Sequence, residues 1–182
     1  MTCIAGIVEE GKIYMGADSA GVDISTYKMT YRADEKIFIR NKKMLYGFTS
    51  SFRMGQLLRY SLKIPPHPDT MDDMTYLTTR FIDAVRKCLK TGGYQTKKDE
   101  VETGGCFLLG YKSNLYTIFD DYQVAKSLDP ISAIGCGADF ALGSLHTSTG
   151  NPLARLKMAL EAASHWSVGV SPPFNYLLPK GI

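Results

Sequence analysis

The chain has 182 residues, 45% of them hydrophobic, and a formal net charge of +3. That length and apolar content suit one compact domain over residues 1–182 with a substantial core. The small charge, scattered among acids, argues against a nucleic-acid-binding stripe, and no apolar run approaches the roughly 20 residues needed to span a bilayer.

In chain order, Cys3–Val8 and Lys12–Asp18 are apolar runs around a polar, glycine-containing turn, the pattern of a β-hairpin. Strands are predicted at Tyr27–Arg32, Lys36–Arg40 and Met44–Thr49. Ser51 can cap a helix over Phe52–Lys63, stopped by Pro65 and Pro66. A longer helix is predicted from Met71 to Lys90, with Met74, Leu77, Phe81, Val85 and Cys88 forming the stripe that faces a sheet. Thr91-Gly92-Gly93 ends that helix, and the stretch from there to Thr103 reads as a charged, mobile loop. Strands follow at Gly105–Tyr111, Leu115–Asp120, Gln123–Ser127 and Ser132–Gly135. Then come a helix over Asp139–Thr147 and a second one capped by Asn151, with Pro152 in its first turn and Leu153, Leu156, Leu160 and Ala163 on one face. Phe174–Leu178 closes the chain as a strand. Strands, two helices, strands, two helices and a strand suggest two antiparallel sheets face to face with helices outside.

Thr2 is the chemically pointed residue. With Met1 trimmed, it carries a hydroxyl and a free α-amine on one skeleton, and an amine of reference pKa roughly 7.7–8.0 can accept the hydroxyl's proton. The predicted hairpin ties Thr2 into a sheet and returns Asp18 towards it. No basic-then-apolar leader precedes that hairpin. The four cysteines (Cys3, Cys88, Cys106, Cys136) lie far apart with no Cys-x-x-Cys pair, which suits reduced thiols in a cytoplasmic protein. His67 and His146 have no second ligand nearby in sequence, so no metal site and no cofactor is expected.

Thr2 behind Met1, Gly16-Ala17-Asp18-Ser19, Lys36-Ile37-Phe38, Gly47-Phe48 and Gly135-Cys136-Gly137 occur in one order across most of the chain. In these features the sequence resembles the proteasome β-subunit family and its bacterial ring-protease relatives, which are N-terminal-nucleophile hydrolases. The resemblance implies an α+β fold, a four-layer αββα sandwich. It also implies amide hydrolysis by Thr2, with Lys36 as a permanent cation beside it and Asp18 holding Lys36. The Gly47 N–H would serve as oxyanion donor, a kind of group whose loss costs about 10²–10³ in rate. Cys136 stands where the family has a serine, and a thiol is the poorer hydrogen-bonding group. The family's aspartate after the last helix has no counterpart in Ala163-Ser164-His165-Trp166-Ser167-Val168-Gly169. Cys136 and Ser167 are carried over as support residues. His165 could replace part of the aspartate's role, although a partly buried histidine at a helix end is the plainer reading.

Three functions follow. The first is a threonine endopeptidase enclosed in a homo-oligomeric ring, acting on unfolded protein or peptides, with an AAA+ ATPase unfoldase as a possible partner. The second is an N-terminal-nucleophile amidase for a small molecule, for which Cys3 leaves an opening. The third is a non-catalytic ring scaffold, which would have no need of Lys36.

Overall fold

The structure, a computed structural model, describes residues 1–179. It begins with β1 (Ile4–Glu9) and β2 (Lys12–Ala17). They are joined at Glu10 and Gly11, both left-handed (φ +49° and +71°), as a type I′ turn requires. β3 (Ala20–Val22) pairs with β4 (Met29–Tyr31), and β5 (Ile37–Arg40) with β6 (Met44–Phe48). The Ser51 side chain accepts the Arg53 N–H at 3.0 Å and so caps α1 (Phe52–Gln56), which widens into a π-helical turn over Leu57–Ser61. α2 (Asp73–Tyr76), capped by Asp72, passes through a second π-helical turn (Leu77–Phe81) into α3 (Ile82–Thr91). β7 (Thr96–Lys98), β8 (Val101–Thr103), β9 (Phe107–Tyr111), β10 (Asn114–Ile118), β11 (Val124–Lys126) and β12 (Ile131–Ile134) follow. α4 (Ala138–Thr147), α5 (Pro152–Trp166) and β13 (Asn175–Leu177) complete the order.

A four-stranded antiparallel sheet runs β12-β1-β2-β13, and a five-stranded one β11-β10-β9-β6-β5. Period-two alternation along β1 separates two cores. Ile4 points to the five-stranded sheet, joining Met15, Ile37, Leu108 and Leu115, while Cys3, Ala5 and Ile7 pack on Leu145, Leu156, Leu160 and Ala163 of α4 and α5. The other face of the five-stranded sheet meets α1–α3 through Tyr46, Phe81, Val85 and Phe107. The layers are therefore helices, sheet, sheet, helices: the expected αββα sandwich.

Local differences have physical reasons. The predicted stripe puts Met74 in the core, yet it is 37% exposed and Tyr76 is buried in its place. The π-helical turn changes the angular spacing there, and the inward row runs Leu77, Phe81, Val85 and Leu89. Within the loop predicted between Gly93 and Thr103, β7 and β8 form a hairpin. Asp99 and Glu100 take the left-handed turn positions, and Arg86 grips Glu102 at 2.7 Å. β3, absent from the sequence reading, is a three-residue strand too short to show periodicity.

Candidate active site

The β1–β2 register pairs Ile4 with Ala17, which puts Asp18 opposite Cys3 and next to Thr2. The Asp18 N–H donates to the Cys3 carbonyl (3.3 Å), and the Cys3 N–H returns a bond to Asp18 Oδ1 (2.9 Å). Ala20 N–H donates to Oδ2 at 3.0 Å. The carboxylate is thus clamped between two backbone segments before any side chain reaches it.

Lys36 enters from the other sheet. It immediately precedes β5, and its carbonyl accepts the Phe48 N–H (3.0 Å). Its Nζ donates to Asp18 Oδ1 and Oδ2 at 2.8 and 2.9 Å, with Lys36 1% and Asp18 0% exposed. Burial pushes the Lys36 pKa below the ordinary lysine value, against the pull of Asp18. The expected permanent cation is therefore one whose proton is less firmly held than that of a surface lysine.

Thr2 is 5% exposed. Its Oγ donates to the Met1 carbonyl (2.5 Å), and Lys36 Nζ reaches that same oxygen at 3.4 Å, so hydroxyl and ammonium converge on one acyl oxygen. Behind Thr2 runs the Gly135-Cys136-Gly137 loop. Gly135 is left-handed (φ +96°), and a Cβ there would lie 2.2 Å from the Thr2 carbonyl oxygen, so only glycine permits the approach. Gly137 N–H donates to that oxygen (3.3 Å), and Thr2 N–H donates to Cys136 Sγ (3.3 Å). Ser167 Oγ donates to the same sulfur at 3.2 Å. Thr2, Asp18, Lys36, Cys136 and Ser167 therefore come together from β1, β2, the start of β5, the β12–α4 turn and the end of α5.

Gly47 does not join them. It sits inside β6 opposite Leu108 of β9, and a Cβ there would lie 2.4 Å from Ile4 Cγ2 and 2.9 Å from Met15 Sδ. The Thr49 N–H donates to Cys106. Antiparallel alternation then places the Gly47 N–H in the ladder towards Leu108, unavailable to an oxyanion. Gly47 lets the two sheets close on each other. The residue missed by sequence reasoning is Ser50. It is exposed and left-handed (φ +62°), lies beyond the end of β6, and among the described residues its N–H has no protein acceptor. Both ends of its loop border Lys36: Phe48 through the carbonyl bond and Phe52 with its ring 5.9 Å from Nζ.

His165 and Trp166 are exposed at the end of α5, stacked edge-on against each other, so His165 is not the partly buried histidine expected. Cys3 is fully buried, and burial together with the Asp18 charge pushes its thiol up to about 12. It is a poor nucleophile. No described helix is long and apolar enough to cross a membrane.

No protein-family model matches the chain, and no curated protein sequence does. Solved structures do. BPH of Thiobacillus denitrificans superposes with a TM-score of 0.76 at 20% identity, covering 97% of each chain, and BPH in complex with epoxomicin gives 0.75 at 19%, again covering 97% of each. Eukaryotic HslV from Trypanosoma brucei gives 0.69 at 14%, covering 96% of this chain and 97% of that one. Anbu (ancestral β-subunit) from Yersinia bercovieri gives 0.66 at 12%, covering 97% and 80%. The chain therefore has the fold of the proteasome-like N-terminal-nucleophile hydrolases over nearly its whole length.

Proposed function

We propose that the chain is a threonine-type endopeptidase, working through Thr2 once Met1 is removed, inside a homo-oligomeric ring that admits peptides and unfolded protein. The observation that carries this reading is the convergence of the Thr2 hydroxyl and the buried Lys36 ammonium on one acyl oxygen. With Met1 attached, the Thr2 nitrogen is an amide and cannot act as a base. Its removal yields an amine 3.3 Å from Cys136 Sγ, a neighbour that in turn accepts from Ser167.

Thr2 Oγ attacks the scissile carbonyl while the amine takes its proton, directly or through a water. The amine hands that proton to the leaving nitrogen as the C–N bond breaks, leaving an ester on Oγ. Water activated by the same amine then hydrolyses the ester. Lys36 stabilises the developing alkoxide and lowers the proton affinity of the neighbouring amine by like-charge repulsion. Asp18 fixes Lys36, and the Ser50 N–H is the oxyanion donor in place of Gly47. A nucleophile of this kind needs enclosure, which favours the ring, a cytoplasmic setting and an AAA+ ATPase that unfolds substrates. An amidase acting through Cys3 loses its footing, since that thiol is buried and packed in the core.

Intact mass of the purified protein, combined with a fluorogenic peptide panel, tests the proposal. Loss of the Met1 mass, cleavage of at least one peptide, its abolition in Thr2→Ala, and labelling of Thr2 by a peptide epoxyketone are expected. Retention of Met1, or undiminished cleavage by Thr2→Ala, refutes it.

A further inference from the structure

The Thr2 nitrogen and the Cys136 sulfur are 3.3 Å apart and cannot easily drift. Thr2 is pinned by the Gly137 N–H on its carbonyl, by the Cys136 S–H reaching that same carbonyl (3.5 Å), and by the Cβ-free face of Gly135. The sulfur also accepts from Ser167 Oγ, yet Cys136 is exposed, so a small oxidant can reach it. Removal of Met1 turns that nitrogen into an amine and leaves the thiol of an exposed residue held against it.

We propose that Cys136 and the Thr2 α-amine form a peroxide-driven, thiol-reversible switch, in which oxidised Cys136 condenses with the amine to give a sulfenamide that closes the catalytic centre. The inference rests on the proposed function in one respect, removal of Met1 to expose the amine.

The chemistry balances. The Cys136 thiol is oxidised by hydrogen peroxide to the sulfenic acid, with the peroxide reduced to water. The amine lone pair then attacks that sulfur, the S–O bond breaks, and water leaves with one amine hydrogen. Sulfenic acids already condense with backbone nitrogen to sulfenamides, and a free amine is the stronger nucleophile. Holding the two atoms in contact supplies the proximity that such a closure needs. Two equivalents of a small thiol reverse the bond, restoring thiol and amine and leaving a disulfide of the reductant. Cys3, the neighbouring cysteine, does not compete as a resolving thiol: it is fully buried, and its pKa is raised to about 12. Once in the S–N bond, the Thr2 nitrogen no longer serves as the proton acceptor.

The experiment treats the purified protein with hydrogen peroxide and reads intact mass, peptide maps and peptidase activity. The link removes two hydrogens, so a loss of about two mass units is expected, against a gain of about sixteen for a stable sulfenic acid. The map, taken after alkylation of free thiols, should join the N-terminal peptide to that of Cys136 with Cys3 alkylated, whereas a disulfide would leave Cys3 unalkylated. Dithiothreitol should reverse mass and activity together. In Cys136→Ser no link should form, and whatever peptidase activity the variant has should survive peroxide. A stable oxygen adduct without a link, a disulfide to Cys3, or equal peroxide sensitivity in Cys136→Ser overturns the switch. The link is read by mass alone, so its formation in a protein without peptidase activity sinks only the protease reading. An active protease free of Met1 that forms no link sinks only the switch. Retained Met1, visible before peroxide is added, sinks both.

Discussion

The Lys36 ammonium lies 2.8 and 2.9 Å from the two carboxylate oxygens of Asp18, and solvent reaches neither side chain. Moving both charges out of water costs several kcal/mol per ion, which their attraction does not reliably repay. Packing alone does not account for such a pair. It lies where β1 begins, against the Met1–Thr2 peptide, and Asp18 also accepts from Cys3 and Ala20 N–H. The carboxylate thereby ties the cation to the strand that Thr2 leads into.

Asp18→Ala leaves that ammonium buried without a counter-ion, and a loss of about 3–5 kcal/mol in unfolding free energy is expected. Urea unfolding at matched protein concentration measures it. The double variant Asp18→Asn, Lys36→Met removes both charges and keeps an acceptor for one backbone N–H. It should recover much of the lost stability while remaining without peptidase activity. A double variant as unstable as Asp18→Ala would show that the charges themselves hold the fold together.

The pH–rate profile should be bell-shaped. The acid limb reports the Thr2 amine, which must be neutral to act as base and whose reference pKa is about 7.7–8.0. The alkaline limb reports Lys36, which must stay protonated. Because burial lowers its pKa, this limb should fall before the roughly 10.4 of a free lysine. The linkage has a definite sign. Between the lowered folded value and the unfolded one, the unfolded chain binds the extra proton, so the Lys36 contribution to stability rises with pH. Activity and this stability contribution should thus move in opposite directions in that window. Peptidase rates and denaturant midpoints measured across it would test the divergence.

Gly47→Ala separates packing from catalysis. The new methyl would lie 2.4 Å from Ile4 Cγ2, between two sheets whose neighbours are fully buried. Overpacking of this kind costs about 1–3 kcal/mol, and more where both partners are rigid. The denaturation midpoint should fall accordingly. The kcat of the folded fraction should fall far less than the 10²–10³ that accompanies a lost oxyanion donor. A full drop of that size with unchanged stability would return the oxyanion role to Gly47.

What was legible in the sequence was whatever is written locally. Alternation and a Glu10-Gly11 turn specify the first hairpin, and Asn151 with Pro152 specifies the start of α5, where Asn151 Oδ1 accepts the Ala154 N–H at 2.9 Å. Asp18 and Lys36 could be singled out because, with Thr2, they stand in the order of the family the sequence resembles; alone, each reads as an ordinary charge at a strand end, and their burial is not written locally. The status of Gly47 was not legible, since it depends on pairing with Leu108, sixty-one residues away along the chain. Ser50 was hidden for the opposite reason: a serine with φ +62° looks in sequence like any polar residue before a helix cap. The π-helical turn over Leu77–Phe81 departs from the 3.6-residue period on which the predicted stripe rests, so the outward position of Met74 leaves no trace there.

Cys136 supplies the last prediction. Its sulfur accepts from Thr2 N at 3.3 Å and from Ser167 Oγ at 3.2 Å, contacts a hydroxyl would make shorter and stronger. Replacing a weak acceptor by a good one at the base should be worth a fraction of an ordinary hydrogen bond, about 0.5–1 kcal/mol, or roughly two- to fivefold in rate. Cys136→Ser should therefore raise kcat by that factor under reducing conditions, with KM little changed. Ser167→Ala removes a donor to the sulfur without touching Thr2, and should lower kcat by a similar factor in the parent. In the Cys136→Ser background, the Ser167→Ala loss should grow, because a hydroxyl at 136 would couple to Ser167 more strongly than a thiol does. Steady-state kinetics of the four proteins form a double-mutant cycle. If the two substitutions prove strictly additive, Ser167 does not act through the residue at 136.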